Sequence, residues 1–294
     1  MESRLIRIIG LVVVTGALAV GLDVPIVPAC IDAKVSVHRT LRDGLWEKTL
    51  AVQFPARRRA ISTNDGIIDI LAAGNHAAHP AIWAQADAAL KSTLDVGGKV
   101  YARIIQEQLA GRLGLRPADT AMMATAADLD NGAVVTLESP PFTVMALVTA
   151  GAKGNALRTG VDEGTYIEPD PTCPAAGTGP SPRPGTINIL VLTNARLTDG
   201  GLARAVITAT EAKTAALEDL GVPSSFTRSV QATGTGTDSM IVVSGAGGPL
   251  VTYPGGHSRI GELLGKAVHR AVREALARQN GFGATHASLS QEKP

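Results

Sequence analysis

The sequence predicts an α/β domain: a single domain in which helices pack against a mixed β-sheet. Three observations predict it. An almost unbroken apolar stretch at residues 187–192 reads as a strand covered on both faces. Helical periodicity then takes over, with Leu202, Ala205, Val206, Ala209, Ala216, Leu217 and Leu220 at the three-four spacing of one helix face. Finally, residues 258–278 carry Ile260, Leu263, Leu264, Ala267, Val268, Ala271 and Ala275, a face wide enough to require a sheet beneath it. Composition agrees, since 32 glycines and 45% hydrophobic residues with only 3% aromatics make a core of small and branched side chains. Aromatic stacking is therefore not expected to dominate ligand binding.

Taken in order, residues 1–30 stand apart. Arg4 and Arg7 precede an apolar run over 8–22, and Val27, Pro28 and Ala29 place small residues where a signal peptidase reads. The expected fate is export, with a periplasmic mature protein; a hydrophobic first strand of a cytoplasmic enzyme is the alternative. The run falls short of the about 20 apolar residues that a membrane span needs, so no span is assigned. Cys30 follows the cleavage site directly, which makes lipid anchoring there a variant of the same reading. The other cysteine is Cys173, and the absence of a C-x-x-C pair removes zinc-ribbon and redox motifs. Export would permit a Cys30–Cys173 disulfide, and two unrelated thiols is the other reading.

The domain proper is expected over 31–280. Residues 50–54 and 59–62 read as short strands around a basic turn at 55–58, whose charge fits a solvated edge. Residues 76–94 are alanine-rich and weakly periodic. A clearer helix carries Val100, Ile104, Leu109 and Leu113 and is ended by Gly114 and Pro117. Residues 133–136 and 143–149 are β-rich and separated by Ser139, Pro140 and Pro141, which predicts a hairpin. Over 162–185 the chain turns to Pro, Gly and Ser, a composition that forms no core and reads as a surface excursion between two halves. A strand is expected at 240–244, and 281–294 lack periodicity and fall outside the fold. Ala124, Thr125 and Asp128 before one strand echo Ala232, Thr233 and Asp238 before another, a pattern for which coincidence in an Ala- and Thr-rich chain is the simpler source.

The 27 basic residues balance 26 acidic ones, so a net charge of +1 gives no electrostatic case for nucleic acid or an anionic membrane. A small molecule is the expected partner, and association into a homo-oligomer is compatible with the composition.

Several side chains carry chemistry. At about 100° per residue Lys213 falls in the middle of the apolar stripe of its helix, while Arg204, Glu211 and Glu218 gather opposite. A desolvated lysine there becomes a base near neutrality, whereas pairing with Asp128 or Asp238 would keep it charged. The 233–238 loop alternates Thr and Gly: Thr233, Thr235 and Thr237 supply hydroxyls, and Gly234 and Gly236 permit close backbone approach before Asp238. An ordinary glycine turn is the bland alternative. His257 and Ser258 open the last helix, where free N–H groups favour negative charge, which makes His257 the best acid or base among the six histidines. Asn155 and Asn188 are amide donors for a carbonyl. His76 and His79 with Asp128 form a weaker ligand set. The G-x-S-x-G elbow and the H-E-x-x-H helix are both missing, and no spacing requires a metal, so none is assigned.

The same residues carry a family resemblance. Lys48-Thr49-Leu50 with Phe54-Pro55, Thr125-Ala126-Ala127-Asp128, Thr149-Ala150-Gly151 with Gly154-Asn155-Ala156, Thr210-Glu211-Ala212-Lys213-Thr214, the 233–238 loop, and His257-Ser258 before Gly261-Glu262-Leu263 follow one another from about Trp46 to Leu276. In that order the chain resembles the adenosylcobinamide amidohydrolase family of corrinoid salvage. The resemblance implies hydrolysis of the amide joining a corrin propionate to aminopropanol, with a corrinoid as substrate and no cofactor. By the same resemblance Lys213, His257, Thr235, Asp238 and Glu211 are catalytic candidates, and Thr233, Gly234, Gly236, Thr237, Asn155, Asn188, Asp128 and Ser258 are substrate-binding ones. An exported corrinoid-binding protein without turnover is the rival reading. The leader departs from the family pattern and predicts that residues 1 to about 29 are missing from the protein in its native host; N-terminal sequencing that finds Met1 on a cytoplasmic protein would refute export.

Overall fold

Ten strands and four helices make up the described residues of the computed structural model, which are 24–90, 99–164 and 185–283. Residues 1–23 of the leader, Cys173 and most of the Pro/Gly-rich excursion lie outside them. Strands β1 (Lys34–Arg42), β2 (Leu45–Ser62) and β3 (Gly66–Ala78) form an antiparallel meander. Helices α1 (Pro80–Leu90) and α2 (Lys99–Leu113) then return the chain to β4 (Thr120–Thr125), parallel to β3. The scheme recurs. Strands β5 (Ala133–Ser139), β6 (Phe142–Ala150) and β7 (Ile187–Thr193) are antiparallel neighbours, and α3 (Asp199–Asp219) leads to β9 (Ser239–Val243), parallel to β7. The two halves join where the end of β2 pairs antiparallel with β9, giving one mixed sheet in the order β4-β3-β2-β9-β7-β6-β5 with β1 beside β2. Short β8 (Arg196–Leu197) and β10 (Leu250–Val251) pair in parallel, and α4 (Arg259–Asn280) ends the fold. The topological repeat makes β9 the counterpart of β4. Asp128 follows β4 whereas Asp238 precedes β9, so the sequence echo is a coincidence rather than the trace of this repeat.

The period-two alternation of strands sorts the side chains into three cores. Along β6, Val144, Ala146 and Val148 face α3 and α4, while Met145 and Leu147 face inward against Leu50, Val52 and Ala73 of the other half. The sheet is therefore curled, with an inner core between its halves and helices outside. A third cluster, Ile82, Tyr101, Ile105 and Leu109 against Ala51, Ala78 and Met122, seats α1 and α2 on the outer face of the first half. Both faces of β3 are covered, which explains its small residues: a Cβ on Gly74 would come within 2.7 Å of Met122 Cε. The alanine-rich stretch from His76 is thus first the end of a strand and only then a helix. Thr198 and Ser258 cap α3 and α4 by accepting from the N–H of Gly201 and Gly261, and Gly281 ends α4 at φ 74°.

The basic turn expected at 55–58 is instead the middle of one long strand, which changes register between Gln53 and Arg58. Its charges are held by distant carboxylates. Arg57 donates to Asp119 at 2.7 Å, Arg58 meets Asp32 at 3.3 Å, and Arg59 donates to Asp199 at 2.8 Å. Arg58 is only 3% exposed, whereas Pro55, Ala56 and Arg57 are exposed, so the expected solvated edge holds for the bulge but not for Arg58.

A buried polar chain ties α2 to the sheet. Burial above all, with Arg42 and Arg112 adding to it, pushes the His76 imidazole down to about 3, so the ring is neutral. Tyr101 O–H lies 3.4 Å from Glu47 Oε1, which Arg42 also contacts at 2.6 Å. With Tyr101 donating to Glu47, His76 Nε2–H donates to Tyr101 at 3.0 Å and Nδ1 accepts from Thr49 at 2.8 Å. Because His76 titrates near 6.5 when unfolded, the unfolded chain binds the extra proton between pH 6.5 and 3. Stability is complete above that window and is lost as pH falls through it, by up to about 1.4 kcal/mol per pH unit. Burial raises Glu47, which acts in the opposite sense as pH rises above its ordinary range. Urea unfolding between pH 7 and 4 is expected to show a shallower acid slope for His76→Gln than for the wild type.

Candidate active site

The chain gathers its polar side chains at one end of the sheet, where β6 stops and β7 and β9 start. Lys213 lies near the C-terminal end of α3 between buried Ala209, Ala216 and Leu217 and is 8% exposed. Its ammonium pairs with Asp238 Oδ2 immediately before β9. The same carboxylate accepts three more donors: Thr235 N–H at 3.3 Å, Thr235 Oγ1–H at 2.5 Å and Ile187 N–H at 3.1 Å. Lys213 is thus a charged donor, and the desolvated-base reading gives way to the ion-pair one. A small cavity beside the pair is lined by Thr63, Thr210, Ser239 and Met240.

The glycines of the loop make this contact. A Cβ on Gly234 would stand 2.5 Å from Asp238 Oδ2 and 2.8 Å from Lys213 Nζ, and Gly236 turns the chain at φ 75°. Thr233 N–H donates to Leu157 O and Leu157 N–H to Gly234 O, both at 2.8 Å. Thr237 Oγ1–H donates to Gly185 O at 3.0 Å, and Thr186 Oγ1–H returns to Thr237 O at 2.6 Å. Asn155 Nδ2–H also donates to Gly185 O, and its buried Oδ1 has no partner among the described residues.

A second lysine–aspartate pair stands close by. Lys48 Nζ is 2.6 Å from both Asp128 Oδ1 and Asp130 Oδ2, above the Trp46 ring. Asp128 Oδ1 also accepts from Asp130 N–H, while Asp128 N–H donates to Gln279 at the end of α4. Between the pairs the backbones of Gly151 and Gly185 approach: a Cβ on Gly151 would lie 3.4 Å from Ala127 Cβ and 3.9 Å from Gly185 Cα. On the inner face of β7, Asn188 Nδ2–H donates to Asn75 Oδ1 at 2.8 Å and to Ala124 O at 3.1 Å, and Asn75 donates to Thr149 at 2.9 Å. Asn188 Oδ1 has no partner among the described residues.

Among the described residues, four expected ones make none of these contacts. His257 is exposed before the first turn of α4, whose last turn holds Asp128, and 22 residues of helix separate those ends; at 1.5 Å per residue that is about 33 Å. Ser258 is the α4 cap. Glu211 is exposed on α3, and Arg204 opposite the stripe lies over Tyr253 at 4.9 Å rather than against a carboxylate. His79 meets the Trp46 ring edge-on and receives the Ala81 N–H at the start of α1, away from any ligand role with Asp128. Among the described residues no three His, Cys, Asp or Glu side chains gather as for a metal ion, and no helix is long and apolar enough to cross a membrane. Sequence reasoning passed over Lys48, Asn75 and Thr149 as site residues. Lys48 and Thr149 stand inside quoted motifs; Asn75 had no local signal.

The sequence pattern of adenosylcobinamide amidohydrolase matches residues 32–284. The chain belongs to this family. A relative in Methanocaldococcus jannaschii, an uncharacterized protein, is 40% identical over 249 residues, covering 83% of this chain and 92% of that one. The adenosylcobinamide amidohydrolase of Halobacterium salinarum is 33% identical over 110 residues, 36% of this chain and 43% of that enzyme. The crystal structure of a Pyrococcus horikoshii protein aligns over 93% of this chain and 91% of its own with a TM-score of 0.43 and 11% identity. Membership supports corrinoid amidohydrolase activity at the level of the family. The family blocks around Lys48, Asp128, Gly151, Asn155, Lys213 and Asp238 converge on one end of the fold, and the His257 block caps the far end of α4.

Lys213→Met removes one of four donors from a carboxylate whose side chain is 19% exposed. A loss of about 1–3 kcal/mol is expected. In a double-mutant cycle with Asp238→Asn the second change is expected to cost much less than it does alone; additive losses by urea titration would show that the pair contributes no coupling.

Proposed function

We propose that the chain hydrolyses the amide linking aminopropanol to the corrin propionate of cobinamide, adenosylated or not, releasing 1-aminopropan-2-ol and a cobyric acid for corrinoid salvage. The observation that carries this reading is the sharing of one carboxylate by Thr235 and Lys213, on residues that belong to the family's own blocks. Thr235 Oγ attacks the amide carbonyl and its proton passes to Asp238 Oδ1. Lys213 donates to the oxyanion of the tetrahedral intermediate. Collapse breaks the C–N bond, and the amine leaves with the proton from Asp238. Water then cleaves the threonyl ester, restoring the hydroxyl and freeing the carboxylic acid. Export through the N-terminal leader places the reaction on corrinoids outside the cytoplasm, where the upper ligand need not be adenosyl.

Mass spectrometry of cobinamide incubated with the protein is expected to show loss of the aminopropanol unit. A bound corrinoid of unchanged mass would favour a binding protein. Thr235→Ala is expected to abolish turnover and Thr235→Ser to retain it. Lys213→Met is expected to lower kcat by at least about 100-fold, worth roughly 2.7 kcal/mol of transition-state stabilisation, with corrinoid affinity preserved.

A further inference from the structure

Beside the 233–238 loop the surface carries apolar side chains that no core explains. Phe226 is 60% exposed and Val161 53% exposed. Both sit on loops fixed in place. Ser224 N–H and Ala232 N–H pair with Val230 O and Val222 O, and Ser225 N–H donates to Ala156 O at 2.7 Å. Ser224 Oγ accepts the N–H of Phe226 at 3.0 Å and that of Thr227 at 3.1 Å, and itself donates to Asp162 Oδ2 at 2.6 Å. Asp162 also accepts Arg158 N–H at 2.6 Å, and these bonds hold its carboxyl below the usual range. Ala156 lies between Asn155, on Gly185, and Leu157, which pairs with Gly234. The exposed ring is therefore displayed on a scaffold continuous with the Lys213–Asp238 site.

We propose that Phe226 and Val161, with half-buried Leu157, form the platform on which the corrin macrocycle rests while its amide side chain reaches Thr235. This rests on the proposed hydrolysis and names what recognises the bulk of the substrate. A corrin is a broad ring with apolar faces and amide arms, and the cavity at Lys213 is too small to admit it. The scissile amide enters at the end of an arm, and the ring must lie against surface beside the loop. Gly236, exposed and turned by its positive φ, presents no side chain there; a Cβ on it would collide with Leu157. A fixed apolar surface binds without the cost of ordering a loop, and burying an otherwise exposed ring contributes through area removed from water.

The test compares wild type, Phe226→Ala, Val161→Ser and, as a control on the α3 side, Tyr253→Ala, after circular dichroism and thermal unfolding have shown that each is folded. Steady-state kinetics with cobinamide and a titration with cobyric acid, which has the ring but not the scissile amide, are measured for each. The platform is expected to raise KM and Kd about tenfold in Phe226→Ala and less in Val161→Ser, with kcat within about twofold and Tyr253→Ala unchanged. Unchanged KM and Kd in both platform variants, with wild-type hydrolysis intact, would overturn the platform alone. Binding without hydrolysis by the wild type would overturn the proposed reaction, and the cobyric acid titration would still decide the platform. A native dimer that Phe226→Ala dissociates, with affinity unaltered, would assign the patch to a second copy of the chain and overturn the proposal.

Discussion

The Asp238 carboxylate is the constraint on which this end of the molecule depends. Its four donors come from the end of α3, the first residue of β7 and its own loop. A half-buried carboxylate is costly unless its lone pairs are used, and here the arrangement that satisfies it also sets where β7 and β9 start relative to α3. The glycine at position 234 belongs to the same condition, since any side chain would stand between the lysine and the carboxylate. Residues 233–238 thereby become a rigid loop, and the threonine hydroxyls have fixed directions.

The curled sheet explains why two separated stretches meet there. Each half runs from three antiparallel strands through helix to a parallel fourth, and curling brings the inner face of β3 against that of β7. That contact is polar at Asn75, Asn188 and Thr149 within an otherwise apolar core. Side-chain amides pair only at particular positions, so they specify how the halves register in a way that leucine against alanine does not. The register then sets Asp128 and its lysine on one side of the Gly151–Gly185 approach and Asp238 with Lys213 on the other.

Much of this was legible from spacing. The apolar faces of α3 and α4, the β5–β6 hairpin, strands β7 and β9 and the α2 helix all follow from periodicity, because each is a local pattern that burial enforces. The misplacement of Lys213 in its stripe was equally visible, and the structure supplies the partner. What escaped was long-range pairing. Arg57 and Arg58 read as a turn because Asp119 and Asp32 lie far away in sequence, and with them paired β2 runs on through the bulge. Asn75 carries no local signal, since its partners are on β6 and β7. His257 was attractive for a good local reason, a helix start preceded by glycines, and the structure sets it at the end of α4 opposite the one that meets Asp128.

The direction of the helices decides which groups are useful here. Ligands of open α/β sheets usually lie beyond the carboxyl ends of parallel strands, where helix N-termini offer free N–H groups, and His257 stands at that end of β9. The Lys213–Asp238 cluster lies at the opposite end, where β7 and β9 begin and α3 and α4 end. Helix C-termini present partial negative charge, which favours cations and opposes an oxyanion. Arg278 in the last turn of α4 meets that field on Gly132 O. A reaction that builds negative charge at this end gains nothing from helix dipoles and must draw on a side chain. Among the cations placed here, Lys213 shares its carboxylate with a hydroxyl, so in the proposed reaction the demand for charge and the supply of a nucleophile would fall on the same aspartate.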